Sequence, residues 1–281
     1  MSIDCRIAII GAGNLGSALV AGLLRAEAVA PERLVATTAR QEHAQKLSQT
    51  LPVKVTAGNN AEAASWADVV IIAVKPGKVR AVLEEIQGSL RPEQILVSMA
   101  AGVPIALLES WLPRPVPVFR ALPNLAMRVC QSATAMSAGR HSKARQRETV
   151  EKIFQAVGIT TVVEDEAMHG ATALAGSGPG FIYWLMEAFA AGGIEAGLPP
   201  KAASSLTQQT FLGAAQLIRE TGQDPAILRA QVTTPKGTTA AGISELEKRG
   251  AKDALVAAIV AAAKRSRELS RSLADPNSAH G

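Results

Sequence analysis

A glycine-rich segment near the N-terminus constrains the fold of this chain more than any other feature. The pattern GxGxxG at residues 11–16 directly follows the apolar run Cys5–Ile10 and leads into a helical pattern over Asn14–Arg25. A short run that is mostly apolar is typical of a parallel strand buried on both faces. In such a turn the first glycine allows the tight bend, the second admits a pyrophosphate and the third lets helix and strand pack closely. The context therefore predicts a dinucleotide-binding turn.

Strand and helix patterns alternate through the first half of the chain. Further strands are expected at Arg33–Thr37, Asp68–Val74, Gln94–Met99, Pro115–Leu122 and Ala133–Ser137, and helices at Gln41–Gln49, Val79–Ile86 and Ser142–Val157. This alternation predicts an α/β domain with a parallel sheet of the Rossmann type. From Asp165 onward only helical patterns remain. We therefore expect a dinucleotide-binding domain over 1–163 and an all-helical dimerisation and substrate-binding domain over 164–281.

One predicted helix indicates self-association. The segment Phe181–Ile194 is apolar on nearly every face, so it must be enclosed by other helices. The C-terminal domain is too small to enclose it easily, which favours an obligate homo-oligomer. A central helix within a single subunit is the alternative.

The end of the second strand bears on the choice of cofactor. NAD-binding sites usually place a carboxylate there, whereas this chain has Thr37, Thr38 and Arg40. Because a guanidinium suits a 2′-phosphate, NADPH is favoured and NADH is the alternative. Arg40 as a solvated residue at the start of a helix is the competing interpretation.

Two further strand ends and one loop complete the candidate site. Ala73–Pro76 ends a strand, and its Lys75 is read as a catalytic, loop-orienting or merely solvent-facing residue. Ala100 and Pro123 follow later strands and are expected to border the nicotinamide. The loop Thr233–Thr239 precedes a helix and is either a carboxylate cradle or an elaborate N-cap.

Composition argues against several other functions. The net charge of +5 comes from scattered Lys and Arg residues, so nucleic acid is not an expected partner. The two cysteines lie far apart and are expected to be buried, reduced thiols, and the four histidines, His280 among them, are too widely spaced for a metal site. Apolar runs are too short for a membrane span and no signal-peptide pattern is present, so a cytoplasmic location is expected.

Along nearly its whole length the chain resembles the pyrroline-5-carboxylate reductase family. The resemblance is carried by IIGAGNLGSALVAGL, AVKPGKV, SMAAGV, RALPN, ALAGSGPGFIYWLMEA and TTPKGTTAAGI, of which the last two are specific to the family. It implies reduction of 1-pyrroline-5-carboxylate to L-proline with NADPH or NADH, in dimers built from interlocked C-terminal helices and often assembled into decamers.

The resemblance also implies the roles of individual residues. Cofactor binding falls on Ile10, Gly11, Gly13, Asn14, Leu15, Gly16, Thr37, Thr38, Arg40, Asn60, Ala73, Val74, Lys75, Pro76, Ala100 and Pro123. Substrate binding falls on Thr234, Gly237, Thr238 and Thr239, and the Thr239 side chain is the catalytic candidate because it corresponds to one that hydrogen-bonds the ring nitrogen.

Three positions depart from the family pattern. Leu125 and Ala175 each replace a residue with a hydroxyl, and Lys236 replaces a small or amide residue. These departures leave open a related cyclic imine as substrate. A β-hydroxyacid-type dehydrogenase is a further alternative, although Phe181–Gly197 lacks the lysine it would use. A non-catalytic NADP-binding regulator would not need the threonine loop.

Overall fold

The computed structural model describes residues 3–274, so His280 lies outside the described residues. Contacts divide the chain into two compact units. Of the described residues, the first unit contains 3–176 together with 262–274, and the second contains Ser177–Ala261.

In the described chain, eight strands form one sheet. The strands are β1 (Ile7–Ile10), β2 (Leu34–Thr38), β3 (Lys54–Ala57), β4 (Val69–Ile72), β5 (Ile95–Ser98), β6 (Val118–Leu122), β7 (Ser132–Ala138) and β8 (Gly158–Val162). Their order is β3-β2-β1-β4-β5-β6-β7-β8. The order reverses beside β1, which is the arrangement expected of a Rossmann-type sheet.

The sheet is mostly parallel, as expected of a Rossmann-type domain, with one antiparallel pair of strands. β7 runs antiparallel to β6, whereas the other neighbouring strands are parallel. The segment between Leu122 and Ser132 is too short to contain a helical crossover of the usual length, so the chain returns in the opposite direction.

Helices flank the sheet in the first unit and make up the second. Those beginning in the first unit are α1 (Asn14–Arg25), α2 (Gln41–Thr50), α3 (Asn60–Trp66), α4 (Val79–Ile86), α5 (Ile105–Ser110), α6 (Ala144–Gln155) and α7 (Met168–Ala171). The later helices are α8 (Gly178–Glu195), α9 (Pro200–Thr221), α10 (Pro225–Val232), α11 (Thr238–Lys248) and α12 (Ala251–Ala274).

The central strands are buried on both faces. Ile7 and Ile9 of β1 pack on the side that carries α1 and α6, while Ala8 and Ile10 pack on the side that carries α4 and α5. Alternate side chains of one strand therefore enter two separate apolar layers. This explains why the strand is apolar throughout.

The division by contacts falls later than the sequence-based boundary after residue 163. Met168 of α7 is fully buried against Leu122 and Ala135 of the sheet. A turn of π-helix over Thr172–Gly176 continues from α7 and also contacts β6 and β7. These residues consequently belong to the compact unit of the sheet, although no strand follows β8 in the described chain.

The second unit leaves its most apolar helix uncovered. α8 packs on α9, with Phe189 and Phe211 in edge-to-face contact at a centroid distance of 5.0 Å. Within the described residues α8 nevertheless has no buried residue, and Trp184 is 64% exposed. The alternative of a central helix enclosed within one subunit is therefore wrong.

Both cysteines are free, and each is partly rather than fully buried. Burial raises the pKa of the Cys5 thiol to about 11, which keeps it protonated and unreactive at neutral pH. None of the helices described in residues 3–274 is long and apolar enough to cross a membrane.

Candidate active site

Two glycines of the N-terminal turn are required by the fold itself. Gly11 has a φ of +96°, and a Cβ atom there would lie 2.5 Å from Cγ1 of Val74. At Gly16 a Cβ would press against the carbonyl oxygen of Gly11. The N–H groups of Gly11 and Ala12 both donate to the Thr37 carbonyl, at 3.1 and 2.7 Å. The turn is thus fixed between β1, α1, β2 and the residues after β4.

Gly13 differs from its neighbours because the fold does not require it. Its φ is −74°, and apart from its neighbours in the chain no described atom lies within 4 Å of a Cβ built on it. The position is exposed and faces the start of α1, where no described side chain caps the helix. The first N–H groups of α1 are therefore available to an anion, and a missing Cβ at Gly13 leaves it room. The chain fits a dinucleotide pyrophosphate here.

The threonines at the end of β2 are engaged within the protein. The Thr37 hydroxyl donates to Oδ1 of Asn60 at 2.6 Å, and Nδ2 of Asn60 donates to Glu85 at 2.8 Å. The Thr38 hydroxyl lies 3.2 Å from Nδ1 of His43. These hydroxyls fix the loops around the adenosine end of the predicted site. Thr37, only 1% exposed, has its one donor already committed.

Arg40 supplies a cation at the end of β2. It is exposed and immediately precedes α2. Among residues 3–274 its side chain has no ion pair or hydrogen bond. Its guanidinium is therefore able to meet a phosphate without first breaking a contact in the protein.

The next strand ends meet where the nicotinamide is predicted. The Ala73 N–H donates to the Ile10 carbonyl, and the Met99 N–H donates to the Ile72 carbonyl, both at 2.8 Å. Hence residues 73 and 100 follow adjacent strands at one edge of the sheet. Ala100 is 3% exposed and Pro123 is buried. Lys75 is exposed, and its ammonium group has no partner within the described part of the chain, so the solvent-facing interpretation fits it best.

A buried ion pair behind this edge was not predicted. Arg120 is 1% exposed, and its Nη1 donates to Asp165 at 2.6 Å. The other Asp165 oxygen accepts the N–H of Ile105 at 3.0 Å. Nε and Nη2 of Arg120 have no partner among the described atoms. The only sequence signal was a single arginine inside the apolar run VFRAL.

His169 extends this polar cluster toward α12. Its Nδ1 lies 2.9 Å from the hydroxyl of Ser266, a buried residue. Burial lowers the pKa of His169, and the positive charges of Arg120 and Arg267 lower it further against the smaller opposing effect of Asp165. The histidine is therefore mostly neutral at pH 7.

The threonine loop belongs to the second unit and joins α10 to α11. Gly237 precedes α11, and no described side chain caps this helix. This geometry contradicts the N-cap interpretation and leaves the first N–H groups of α11 free for a carboxylate. A Cβ at Gly237 would collide with the Thr234 hydroxyl oxygen. Thr234, Thr238 and Thr239 have no described hydrogen-bond partner for their hydroxyls.

Lys236 occupies the one strained position of this loop. Its φ is +61°, in the left-handed region that favours glycine or asparagine. The strain considered from the sequence is therefore present. A free cation is held beside the uncapped start of α11, since Lys236 forms no ion pair within the described residues.

Family models match both parts of the chain. The model described as pyrroline-5-carboxylate reductase dimerisation matches residues 165–269. The model described as NADP oxidoreductase, coenzyme F420-dependent, matches residues 6–102.

Individual relatives agree with these matches over almost the full chain. A pyrroline-5-carboxylate reductase of Pseudomonas aeruginosa is 41% identical, covering 95% of this chain and 98% of the relative. The structure of the Coxiella burnetii pyrroline-5-carboxylate reductase matches with a TM-score of 0.88 and 34% identity, covering 95% of this chain and 98% of that one. The Plasmodium falciparum pyrroline carboxylate reductase with NADP bound matches with a TM-score of 0.86 and 25% identity, covering 96% and 100%. The chain described here belongs to the pyrroline-5-carboxylate reductase family.

Proposed function

We propose that this protein reduces 1-pyrroline-5-carboxylate to L-proline with NADPH as the reductant, a step of proline biosynthesis. The observation that carries the proposal is a pair of uncapped helix starts, each preceded by a loop with a specially placed glycine. One follows the turn at Gly13 and suits a pyrophosphate. The other follows Gly237 and suits a carboxylate. The names of the relatives described above supply the identity of the substrate.

The cofactor is held by the residues that the resemblance implies. These are the turn from Ile10 to Gly16, the β2 end with Arg40, the segment Ala73–Pro76, and Ala100 and Pro123. When bound, NADPH supplies the hydride that the imine carbon accepts. Asn60 contributes through its hydrogen bond to Thr37 rather than as an unengaged donor.

The protein groups on the substrate side bind and orient. The first N–H groups of α11 and the Thr234 hydroxyl hold the carboxylate, and the Thr239 hydroxyl hydrogen-bonds the ring nitrogen. A cyclic imine protonated at nitrogen is already a good electrophile, so the chain needs no nucleophile. Positioning of this kind contributes roughly 7–11 kcal/mol toward the barrier.

The preference for NADPH rests on Arg40. No carboxylate stands at the end of β2 to repel a 2′-phosphate, and Arg40 has no described competing partner. Arg40→Ala is expected to weaken NADPH binding while leaving NADH binding nearly unchanged. Fluorescence titrations with both cofactors test this preference. Equal losses for the two cofactors would remove the phosphate role.

Self-association is proposed through the exposed apolar helices of the second unit. Support comes from α8, which leaves Tyr183, Trp184 and Phe189 more than half exposed, and from the dimerisation model that matches this region. A homodimer covers such a surface, and decamers are a further proposal. Cytoplasmic location stays a prediction.

A related cyclic imine is the second candidate substrate. Leu125 and Ala175 remove two hydroxyls that the family pattern usually has, and Leu125 is 49% exposed beside the predicted nicotinamide edge. A six-membered ring, as in 1-piperideine-2-carboxylate, is therefore included in the test below.

The decisive experiment is a steady-state assay on purified protein. Each imine is mixed with NADPH or NADH, and oxidation of the reduced nicotinamide is followed by absorbance. Thr239→Ala is expected to lower kcat/KM for the imine without changing NADPH affinity. Tight NADPH binding without turnover of either imine would refute the proposed reaction.

A further inference from the structure

The turn of π-helix over Thr172–Gly176 presents a carbonyl that helix geometry leaves without a donor. In an α-helix the Ala175 carbonyl would accept from residue 179, but Pro179 has no N–H. A π-helical bond would come from Gly180, whose N–H instead donates to Ser177 at 2.9 Å. π-helical turns are frequent at functional sites, so how this carbonyl is held bears on the chemistry nearby.

Asn124 supplies the missing donor from a distant part of the chain. Its Nδ2 donates to the Ala175 carbonyl at 3.0 Å, across 51 positions in sequence. Its Oδ1 accepts the Ala126 N–H at 3.0 Å, which fixes the orientation of the amide. Its backbone N–H donates to the Ser132 hydroxyl at 3.0 Å. Both ends of the side-chain amide are therefore engaged, and the side chain has one defined position.

This contact links two segments that the resemblance places around the reacting atoms. Asn124 directly follows Pro123, which borders the predicted nicotinamide position. Ala175 lies in the family-specific segment ALAGSGPG, where the usual hydroxyl is absent. The Asn124 amide is the described group that donates to the backbone carbonyl at this position.

We propose that Asn124 is a positioning residue that sets the π-helical turn Thr172–Gly176 against the predicted cofactor edge of the sheet. The inference rests on the proposed function. It assigns to Asn124 an effect on turnover that is separate from cofactor binding and from the stability of the fold.

Asn124→Asp is the informative variant because it changes a single group. The carboxylate keeps the oxygen that accepts from Ala126, but it places a second oxygen against the Ala175 carbonyl. Loss of the donor and repulsion between the oxygens displace the π-helical turn, and a displacement of about 1 Å can lower turnover by roughly 10²-fold. We expect kcat for the imine to fall by about this factor while the Kd for NADPH stays within about twofold.

Lowering the pH should partly restore the activity of Asn124→Asp, and it would not do so if the variant were simply unfolded. Protonation of the introduced Asp restores an O–H donor toward Ala175. The ratio of variant to wild-type kcat should therefore rise as the pH approaches the pKa of the introduced carboxyl group, ordinarily about 3.9.

The matched control is Ser132→Ala. It removes the acceptor of the Asn124 backbone N–H but leaves the amide contact with Ala175. We expect this control to lower the unfolding temperature with little change in kcat. Hydrogen exchange of the cofactor-free protein should show faster exchange around residues 172–177 in Asn124→Asp but not in Ser132→Ala.

The outcomes separate this inference from the proposed function. An inactive wild-type protein would refute the proposed function, and the exchange measurement would still test the contact. Equal kcat values for wild type and Asn124→Asp, or equal effects of the two variants on kcat and exchange, would overturn the positioning role.

Discussion

Replacing Gly13 or Gly16 by alanine, in two separate variants, should distinguish an effect on cofactor binding from an effect on the stability of the fold. At Gly13 the added methyl group points into open space, and the φ of −74° suits alanine. The free energy of unfolding should therefore change by less than about 1 kcal/mol, and the sign can be stabilising because alanine restricts the unfolded chain. At Gly16 the methyl group meets the backbone carbonyl of Gly11, so overpacking should cost about 1–3 kcal/mol.

NADPH binding should weaken most in Gly13→Ala, the substitution that the fold tolerates. A methyl group at residue 13 occupies the approach to the uncapped start of α1. Loss of a single charge-assisted hydrogen bond there costs about 1.5–3 kcal/mol, or roughly ten- to a hundredfold in Kd.

The assay combines thermal unfolding of cofactor-free protein with calorimetric titration of NADPH. Both variants are measured at one protein concentration because self-association shifts the apparent unfolding temperature. Gly16→Ala should lower this temperature by about 2–4 °C for each kcal/mol lost. Wild-type affinity in Gly13→Ala, or a loss of stability as large as that of Gly16→Ala, would refute the assignment of Gly13 to the ligand.

Three further predictions concern charges and strain outside this turn. Lys236→Gly should raise the free energy of unfolding by about 1 kcal/mol, since it relieves a left-handed backbone at φ +61°; an unchanged or lower value in chemical denaturation contradicts the strain. Asp165→Ala should destabilise by about 3–5 kcal/mol because it leaves the Arg120 guanidinium buried without its carboxylate, and a loss below about 1 kcal/mol would show that solvent compensates the charge. The lowered pKa of His169 means that the unfolded chain binds more protons than the folded one as the pH falls below the ordinary value of 6.5. Stability should consequently decrease on acidification through that pH, and His169→Gln should flatten this part of the profile; an unchanged slope in the variant would contradict the role of His169.

Sequence patterns predicted those helices and strands that bury a continuous apolar face. The bounds of α1 and α4 agree with those predicted, because each has clear helical periodicity that starts immediately after a turn. β3, α3, α5, β8 and α10 were not predicted. β3 reads KVTA and is largely uncovered, so it lacks the apolar run of a buried strand. The antiparallel β7 was predicted as a strand, but its direction depends on a connection that composition does not reveal.

The candidate site was predictable where local geometry determines the residue type. Glycines in a turn and threonines before a helix are local signals. Contacts between distant segments are not, and both polar clusters of the first unit were missed for this reason. Arg120 and Asp165 are 45 positions apart, and Asn124 and Ala175 are 51 apart. Residue roles in binding and catalysis therefore stay predictions that the variants above are designed to test.

The Thr37 carbonyl accepts two hydrogen bonds, and this has a consequence for the kinetics of cofactor binding. Because the N–H groups of Gly11 and Ala12 both donate to the neighbouring strand, the backbone of the turn is fixed by hydrogen bonds within the protein itself. Little backbone entropy then remains to be lost when the dinucleotide arrives. Association should resemble the docking of a ligand onto a rigid surface, with a single concentration-dependent phase and no slow rearrangement of the loop afterwards.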